Sequence, residues 1–226
     1  MKRKRPTFFE PQSGKRSKTI DIEKLTSNIL SWWDNEKITP PWGDTKDPYK
    51  IWIALIMGQQ TNINIVKKEH KKWIEKFPDI KSCASASKSK IKKYWKLGYN
   101  NRALNIRKCA KIVINTGFPK SVKELKNLPG IGMYTASALA SICFNQVTPV
   151  IDVNVTRIMK RVYMIYDKDD VKKKALNMIK VNPKRCGDIN QAIMDLGVYI
   201  CKPKKQKCEK CPISKMCNGG NFISEC

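Results

Sequence analysis

The stretch Leu128-Pro129-Gly130-Ile131-Gly132-Met133-Tyr134-Thr135-Ala136, read on to Ile151-Asp152-Val153-Asn154, decides the fold. Ser121, followed three residues later by Glu124, reads as a capping box that opens a short helix through Leu125 to Leu128. Pro129 and Gly130 end that helix, and Gly132 offers a second tight turn. A new helix is expected over 133–144, small and apolar through Ala136, Leu139 and Ile142. Helix, glycine hairpin and helix, over 121–144, turn the backbone N–H groups of residues 130–134 outward at a helix N-terminus. That is a phosphate-sized anion site that needs no side chain. Asp152 then stands at the mouth of another helix, whose apolar face carries Val155, Ile158, Met159 and Val162. Local pattern alone leaves two readings open: a turn followed by an ordinary N-cap, or an anion site with a carboxylate beside it.

Charge separates the candidate partners. The 226 residues hold 45 Lys and Arg against 19 Asp and Glu, a formal net charge of +26. Such an excess calls for a polyanion, with nucleic acid the default and a membrane surface the alternative, although a lysine-rich composition inflates it. No apolar run approaches the ~18–20 residues of a membrane span, and no secretory signal is read. Of the nine cysteines, Cys83, Cys109, Cys143 and Cys186 are scattered, while Cys201, Cys208, Cys211 and Cys217 crowd into seventeen positions. One clustered set points to an intracellular metal site rather than a disulfide framework. The only histidine, His70, sits among charged residues and reads as a surface side chain. A single histidine also argues against His-dependent triad chemistry.

Residues 1–20 form a basic, polar tail in which Lys2-Arg3-Lys4-Arg5 and Lys15-Arg16 are spaced like a nuclear-import signal or a DNA-tethering arm. Helical periodicity predicts elements over 21–35 (Ile22, Leu25, Ile29, Trp32 or Trp33), 62–76 (Val66, Trp73, Ile74) and 88–97. Asp47-Pro48 is a strong helix start, and the helix behind it is apolar nearly all round through Trp52, Leu55 and Met57. Further helices follow Gly98, open at Lys168 and run over 188–201. No alternating β pattern occurs. The fold class expected is all-α with two lobes. Residues 47–160 would form a six-helix lobe carrying the hairpin. Residues 21–46 and 161–226 would form a discontinuous lobe carrying the cysteine loop, 201–217.

The order of parts adds a resemblance. Leu-Pro-Gly-Ile-Gly-x-Tyr-Thr-Ala, then Val-Ile-Asp-x-Asn-Val-x-Arg roughly twenty residues on, resembles the helix-hairpin-helix plus Gly/Pro-Asp (HhH-GPD) signature of the base-excision DNA glycosylases. The nearest match is the adenine glycosylase (MutY) branch, over roughly residues 25–217. The resemblance implies double-stranded DNA with a mismatched or damaged base as partner, a monomer by default, and a base flipped out of the stack. Breaking the N-glycosidic bond builds positive charge on the sugar, as in glycoside hydrolysis. The matching residues make Asp152 the carboxylate that steadies this charge and Asn154 the residue that orients it. Tyr134 stands where the lyase relatives carry a Schiff-base lysine. A phenol cannot form that imine, so base removal without strand cleavage is expected.

Pro41-Trp42 matches a motif beside the base pocket, and Gln59-Gln60-Thr61 one whose glutamine fills the space the base leaves. Gly130, Gly132, Met133 and Tyr99 would grip DNA, as would Lys202, Lys204, Lys205 and Lys207 between the first two clustered cysteines. The spacing Cys201-x6-Cys208-x2-Cys211-x5-Cys217 by itself allows zinc or a [4Fe–4S] cluster; the resemblance favours the cluster. Four departures stand out. Leu55 occupies the position of the glutamate that protonates adenine in that branch, Asn100 follows Tyr99 where a second tyrosine is usual, and Gly43 replaces a polar or basic residue. With the sequence read to Cys226, no C-terminal domain that reads 8-oxoguanine is expected. The reading is a monofunctional DNA N-glycosylase, with adenine opposite guanine or 8-oxoguanine as the first substrate. Thymine or uracil opposite guanine, and a DNA-binding paralogue without catalysis, are the alternatives.

Overall fold

A computed structural model describes residues 19–219. The basic tail through residue 18, and Cys226, lie outside the described residues. Among the described residues eleven α-helices follow one another: α1 (Ile22–Glu36), α2 (Pro48–Met57), α3 (Ile63–Lys76), α4 (Ile80–Ser85), α5 (Lys88–Tyr94), α6 (Asn100–Thr116), α7 (Val122–Leu125), α8 (Met133–Phe144), α9 (Val153–Tyr163), α10 (Lys168–Val181) and α11 (Cys186–Tyr199). No strand occurs among the described residues, and no described helix is long and apolar enough to cross a membrane.

Short-range chemistry sets most helix starts. The carboxylate of Asp21 accepts the Lys24 N–H at 3.0 Å, and that of Asp47 accepts the Tyr49 N–H at 2.9 Å with Pro48 in the first turn. α2 is buried from Ile51 to Met57 and is flanked by α3 and α8. α11 is the second hub, touching α1, α8 and α9. It lies close to α8 because Gly187 has no side chain: a Cβ there would stand 2.9 Å from the Cα of Ile142. α1 packs on α10 and α11, so the first helix returns to the last two. An aromatic group stiffens the opposite end. Trp73 meets Phe77 at 4.7 Å and Trp95 at 5.8 Å, and its indole N–H donates to the Tyr49 hydroxyl at 3.1 Å.

Several expectations need correction. Residues 47–160 carry seven whole helices and most of an eighth, not six. The additional element is α4, too short for periodicity but signalled by the reciprocal cap of Asp79 and Ser82. α5 stops at Tyr94, because Trp95 turns extended and donates its indole N–H to the Gly98 carbonyl. α7 is a single turn. Ser121 accepts the Glu124 N–H, but its hydroxyl donates to Glu124 Oε2 at 2.6 Å, so the carboxylate does not reach back to complete the box.

His70 is buried, not on the surface. Its Nε2 lies 2.9 Å from the Lys50 carbonyl, which requires a proton on that nitrogen. Burial pushes its pKa below the ordinary imidazole value. As pH falls below about 6.5, the unfolded chain takes up the proton first. The folded state is therefore unaffected by this group above that pH and loses stability below it. His70→Gln keeps a donor for Lys50 but cannot titrate. Its unfolding midpoint should fall less steeply than the parent's between about pH 6.5 and 5; parallel curves in chemical denaturation would refute this.

Candidate active site

The hairpin takes its shape from one glycine. Gly130 has φ +79°, and a Cβ there would stand 2.9 Å from the Asn105 Cβ. Gly132 is extended, a conformation open to any residue, and caps α8 without a side chain. The Ile131 N–H turns in to the Leu128 carbonyl at 3.1 Å, so it leaves the outward set expected over 130–134. Met133, Tyr134 and Thr135 form the first turn of α8, where N–H groups have no helical carbonyl to bond. Met133 is exposed. The site for an anion is thus the α8 N-terminus rather than the whole loop.

Asp152 caps α9. One carboxylate oxygen accepts the Val155 N–H at 2.7 Å and the other accepts the Asn154 side-chain amide at 2.8 Å. Asn154 is itself held. Its Oδ1 accepts from Arg157 Nη2 at 2.8 Å, which also donates to the Gly197 carbonyl at 2.8 Å, while Arg157 Nε donates to the Cys201 carbonyl at 2.8 Å. A chain of hydrogen bonds therefore runs from the start of the cysteine loop to the carboxylate. Arg157 closes the pattern Val-Ile-Asp-x-Asn-Val-x-Arg, which by itself assigns it no role.

A cavity of about 340 Å³ opens beside Asp152. Trp42, Leu55, Tyr134, Asp152 and Asn154 all line it, so five of the expected site residues meet across more than a hundred positions of sequence. Tyr134 donates weakly to the Met194 sulfur at 3.7 Å. Burial, with the nearby Asp152 and Asp195 carboxylates, pushes its phenol pKa well up, so it stays neutral. Two further lining residues, Gln191 and Asp195 of α11, are absent from the set expected from sequence. Asp195 is buried, and its Oδ2 accepts from the Trp33 indole N–H at 2.9 Å and from Gln191 at 3.1 Å. Its one signal is a lone acid inside the apolar run Ala192-Ile193-Met194-Asp195-Leu196.

Other candidates lie elsewhere. Gln59 points to the hairpin: its side-chain amide reaches Thr135 Oγ1 at 3.4 Å, and its backbone carbonyl accepts from Arg102 at 3.0 Å. It lines a separate small cleft with Pro129 and Gly130. Gln60 is exposed with φ +64°. Tyr99 is 70% exposed, with the Arg102 guanidinium 4.8 Å from its ring centre.

The four clustered cysteines line one cavity against Arg161. Arg161 Nη1 approaches Cys201 Sγ at 3.2 Å and donates to the Lys202 carbonyl at 2.8 Å. Burial, and the nearness of Cys201, Cys217 and Cys208, push the Cys211 thiol up to about 11. Among the described residues no group of three or more His, Cys, Asp or Glu side chains stands assembled as a metal site. The donor set is nonetheless all sulfur, faces one space and has a cationic neighbour, which suits an iron–sulfur cluster. Lys204, Lys205 and Lys207 are exposed on the intervening loop, and Lys202 is half-buried. Away from the loop, Cys83 and Cys109 are pushed up to about 12 by burial and are inert packing groups.

Comparison with known proteins identifies the family. The family model described as HhH-GPD superfamily base excision DNA repair protein matches residues 53–183. The adenine DNA glycosylase of Mus musculus is 36% identical over 219 residues, covering 89% of this chain and 42% of that protein. That of Arabidopsis thaliana is 33% identical, covering 91% and 38%. The chain thus spans roughly two-fifths of the length of these curated relatives. Among solved structures, a thermostable thymine-DNA glycosylase superposes with a TM-score of 0.79 at 31% identity, covering 89% of this chain and 98% of that one. A trapped endonuclease III–DNA covalent intermediate shares the fold, with a TM-score of 0.74 at 21% identity, covering 92% and 100%.

Proposed function

Because this chain belongs to the HhH-GPD superfamily of base excision DNA repair proteins, we propose that it is a monofunctional DNA N-glycosylase whose first substrate is adenine opposite guanine or 8-oxoguanine. The observation that carries the reading is the single cavity lined by Asp152, Asn154, Tyr134, Trp42 and Leu55, beside the α8 N-terminus. In this reading DNA lies across the hairpin, whose N–H groups hold a phosphate, and the flipped nucleotide enters the cavity. Asp152 faces the sugar and steadies its developing positive charge. Asn154 and Arg157 keep the carboxylate in place. Tyr134 packs the wall without offering an amine, so the strand stays intact. Gln59, Gln60, Tyr99, Met133 and the lysines between Cys201 and Cys208 act as DNA contacts.

Cys201, Cys208, Cys211 and Cys217 would hold a [4Fe–4S] cluster. Such a group fixes the loop and, through the Cys201 carbonyl and Arg157, the platform under Asn154; it takes no part in base release. The lobe limits, 47–160 against 21–46 with 161–226, belong to the same proposal. So do a monomeric state, an intracellular setting and nuclear import through the basic tail.

Leu55 in the cavity wall favours a second substrate class, thymine or uracil opposite guanine, since these bases leave as anions with less need of an acid. A panel of duplexes containing A:8-oxoguanine, A:G, T:G and U:G pairs, treated with hot alkali after incubation, separates the two. The expected result is strand scission at adenine, after alkali only. Scission at thymine or uracil alone would move the assignment to the second class, and no scission in any duplex would leave a DNA-binding protein. The same preparation should be yellow-brown, absorbing near ~400 nm.

A further inference from the structure

The cavity holds two carboxyl groups, and their surroundings differ. Asp152 sits half-buried at a helix N-terminus, with both oxygens accepting N–H groups. Asp195 lies deeper, on α11, in a wall shared with Leu55, Tyr134 and Met194. Only its Oδ2 is engaged, by Trp33 and Gln191. Among the described residues no donor is found for Oδ1, and Asp195 lines the cavity. A carboxyl with one oxygen anchored and the other free toward a ligand space can carry a proton into it. Gln191 beside it has a buried Oε1 with no partner among the described residues.

We propose that Asp195 is the general acid of this enzyme: its neutral carboxyl group donates a proton from Oδ1 to a ring nitrogen of the flipped purine. This rests on the glycosylase reading above and names the acid that Leu55 cannot be. The proton moves from Asp195 to the purine, and the bond from C1′ to the purine nitrogen then breaks with its electron pair going to the base. The base departs neutral and leaves a cationic sugar opposite Asp152. Water adds to C1′ and releases one proton, and one proton from solvent restores Asp195, so no other reactant is needed.

The groups around Asp195 fit this role. Burial raises its pKa, opposed by the hydrogen bonds from Trp33 and Gln191 and by Lys67 of α3. The other titratable groups that face it are Tyr134 of α8, Tyr199 of its own helix and Asp152 at the start of α9. The tyrosines stay neutral. Asp195, buried with one oxygen anchored, suits the acid, and Asp152, with both oxygens accepting N–H groups at a helix start, suits the charge stabiliser.

The test is single-turnover release of adenine from A:G and A:8-oxoguanine duplexes across pH, for the parent, Asp195→Asn and Asp195→Glu. The acid must be protonated to act, so the parent rate should fall tenfold per unit as pH rises past the Asp195 pKa. Asp195→Asn should be slower by about 10²–10³-fold on the acidic side and lack that fall. Asp195→Glu should regain both a rate and a pH-dependent fall. Thermal unfolding, and affinity for a duplex containing a non-cleavable adenine analogue, should match the parent for Asp195→Asn, separating proton donation from a structural role. An Asp195→Asn variant with parental rate or an unchanged pH limb overturns this inference alone. A parent that releases no adenine overturns the glycosylase assignment to adenine together with it.

Discussion

Asp152→Asn is expected to lower base release by about 10³-fold or more while leaving DNA binding intact. The substitution keeps size and can still accept the Val155 N–H, so α9 should retain its cap. What it removes is the negative charge. A neutral amide cannot offset a cationic sugar, and no other acidic group in the cavity is placed to do so if Asp195 is neutral. A loss of 10³ corresponds to about 4 kcal/mol of barrier, within the range for one preorganised electrostatic contact in a site shielded from water. Gel-shift affinity for a substrate duplex, measured beside single-turnover cleavage, checks both halves. A variant that cleaves within tenfold of the parent would show that the charge at residue 152 does not carry the chemistry.

The second large effect comes from a residue that touches no substrate. Gly197 lies on α11 under the start of α9, where a Cβ would stand 2.6 Å from the Asn154 Cβ and 3.2 Å from Arg157 Nη2. Gly197→Ala therefore cannot be accommodated by rotating a flexible tip, because the nearest atom is fixed to the α9 backbone. The helices must part or Asn154 must move. Overpacking of this kind costs about 3 kcal/mol, which chemical denaturation would read directly. Displacing Asn154 also releases its amide from Asp152 and its carbonyl from Arg157. Misplacing the carboxylate by about 1 Å should lower base release on the order of 10²-fold. Parental stability and turnover together would mean that α9 and α11 adjust freely at this crossing. That outcome would also weaken the view that the cysteine loop props the carboxylate through Arg157.

Both effects trace to α9, which carries Asp152 at its first end and Arg161 against Cys201 at the other. A rigid helix of eleven residues thus joins the cavity to the cysteine loop. Tyr99, Met133 and Val153 are exposed at the starts of α6, α8 and α9.

Features set by neighbours along the chain are legible in the residue order alone. The glycine turn at residue 130, the Asp152 cap, the Asp47-Pro48 start and the cysteine spacing each depend on atoms a few residues apart. Hydrogen bonds of that range follow directly from local pattern. The wholly apolar α2 is equally plain, since a helix with no polar side has to be enclosed. His70 misleads because its burial depends on Lys50 and the loop before α2, while its neighbours along the chain are charged. The motif around Gln59 suggests a filler for the space the base leaves, while its contact with Thr135, 76 residues away, depends on the tertiary structure. Asp195 looks like part of an apolar helix. Its partner Trp33 lies 162 residues earlier, and only the return of α1 onto α11 brings the two together. Residue order is therefore enough for most of the helices, the glycine turn of the hairpin and the Asp152 cap. It does not say which second carboxyl shares that cavity or what holds Asn154. Those depend on where helices distant in the chain cross, and no local pattern encodes a crossing.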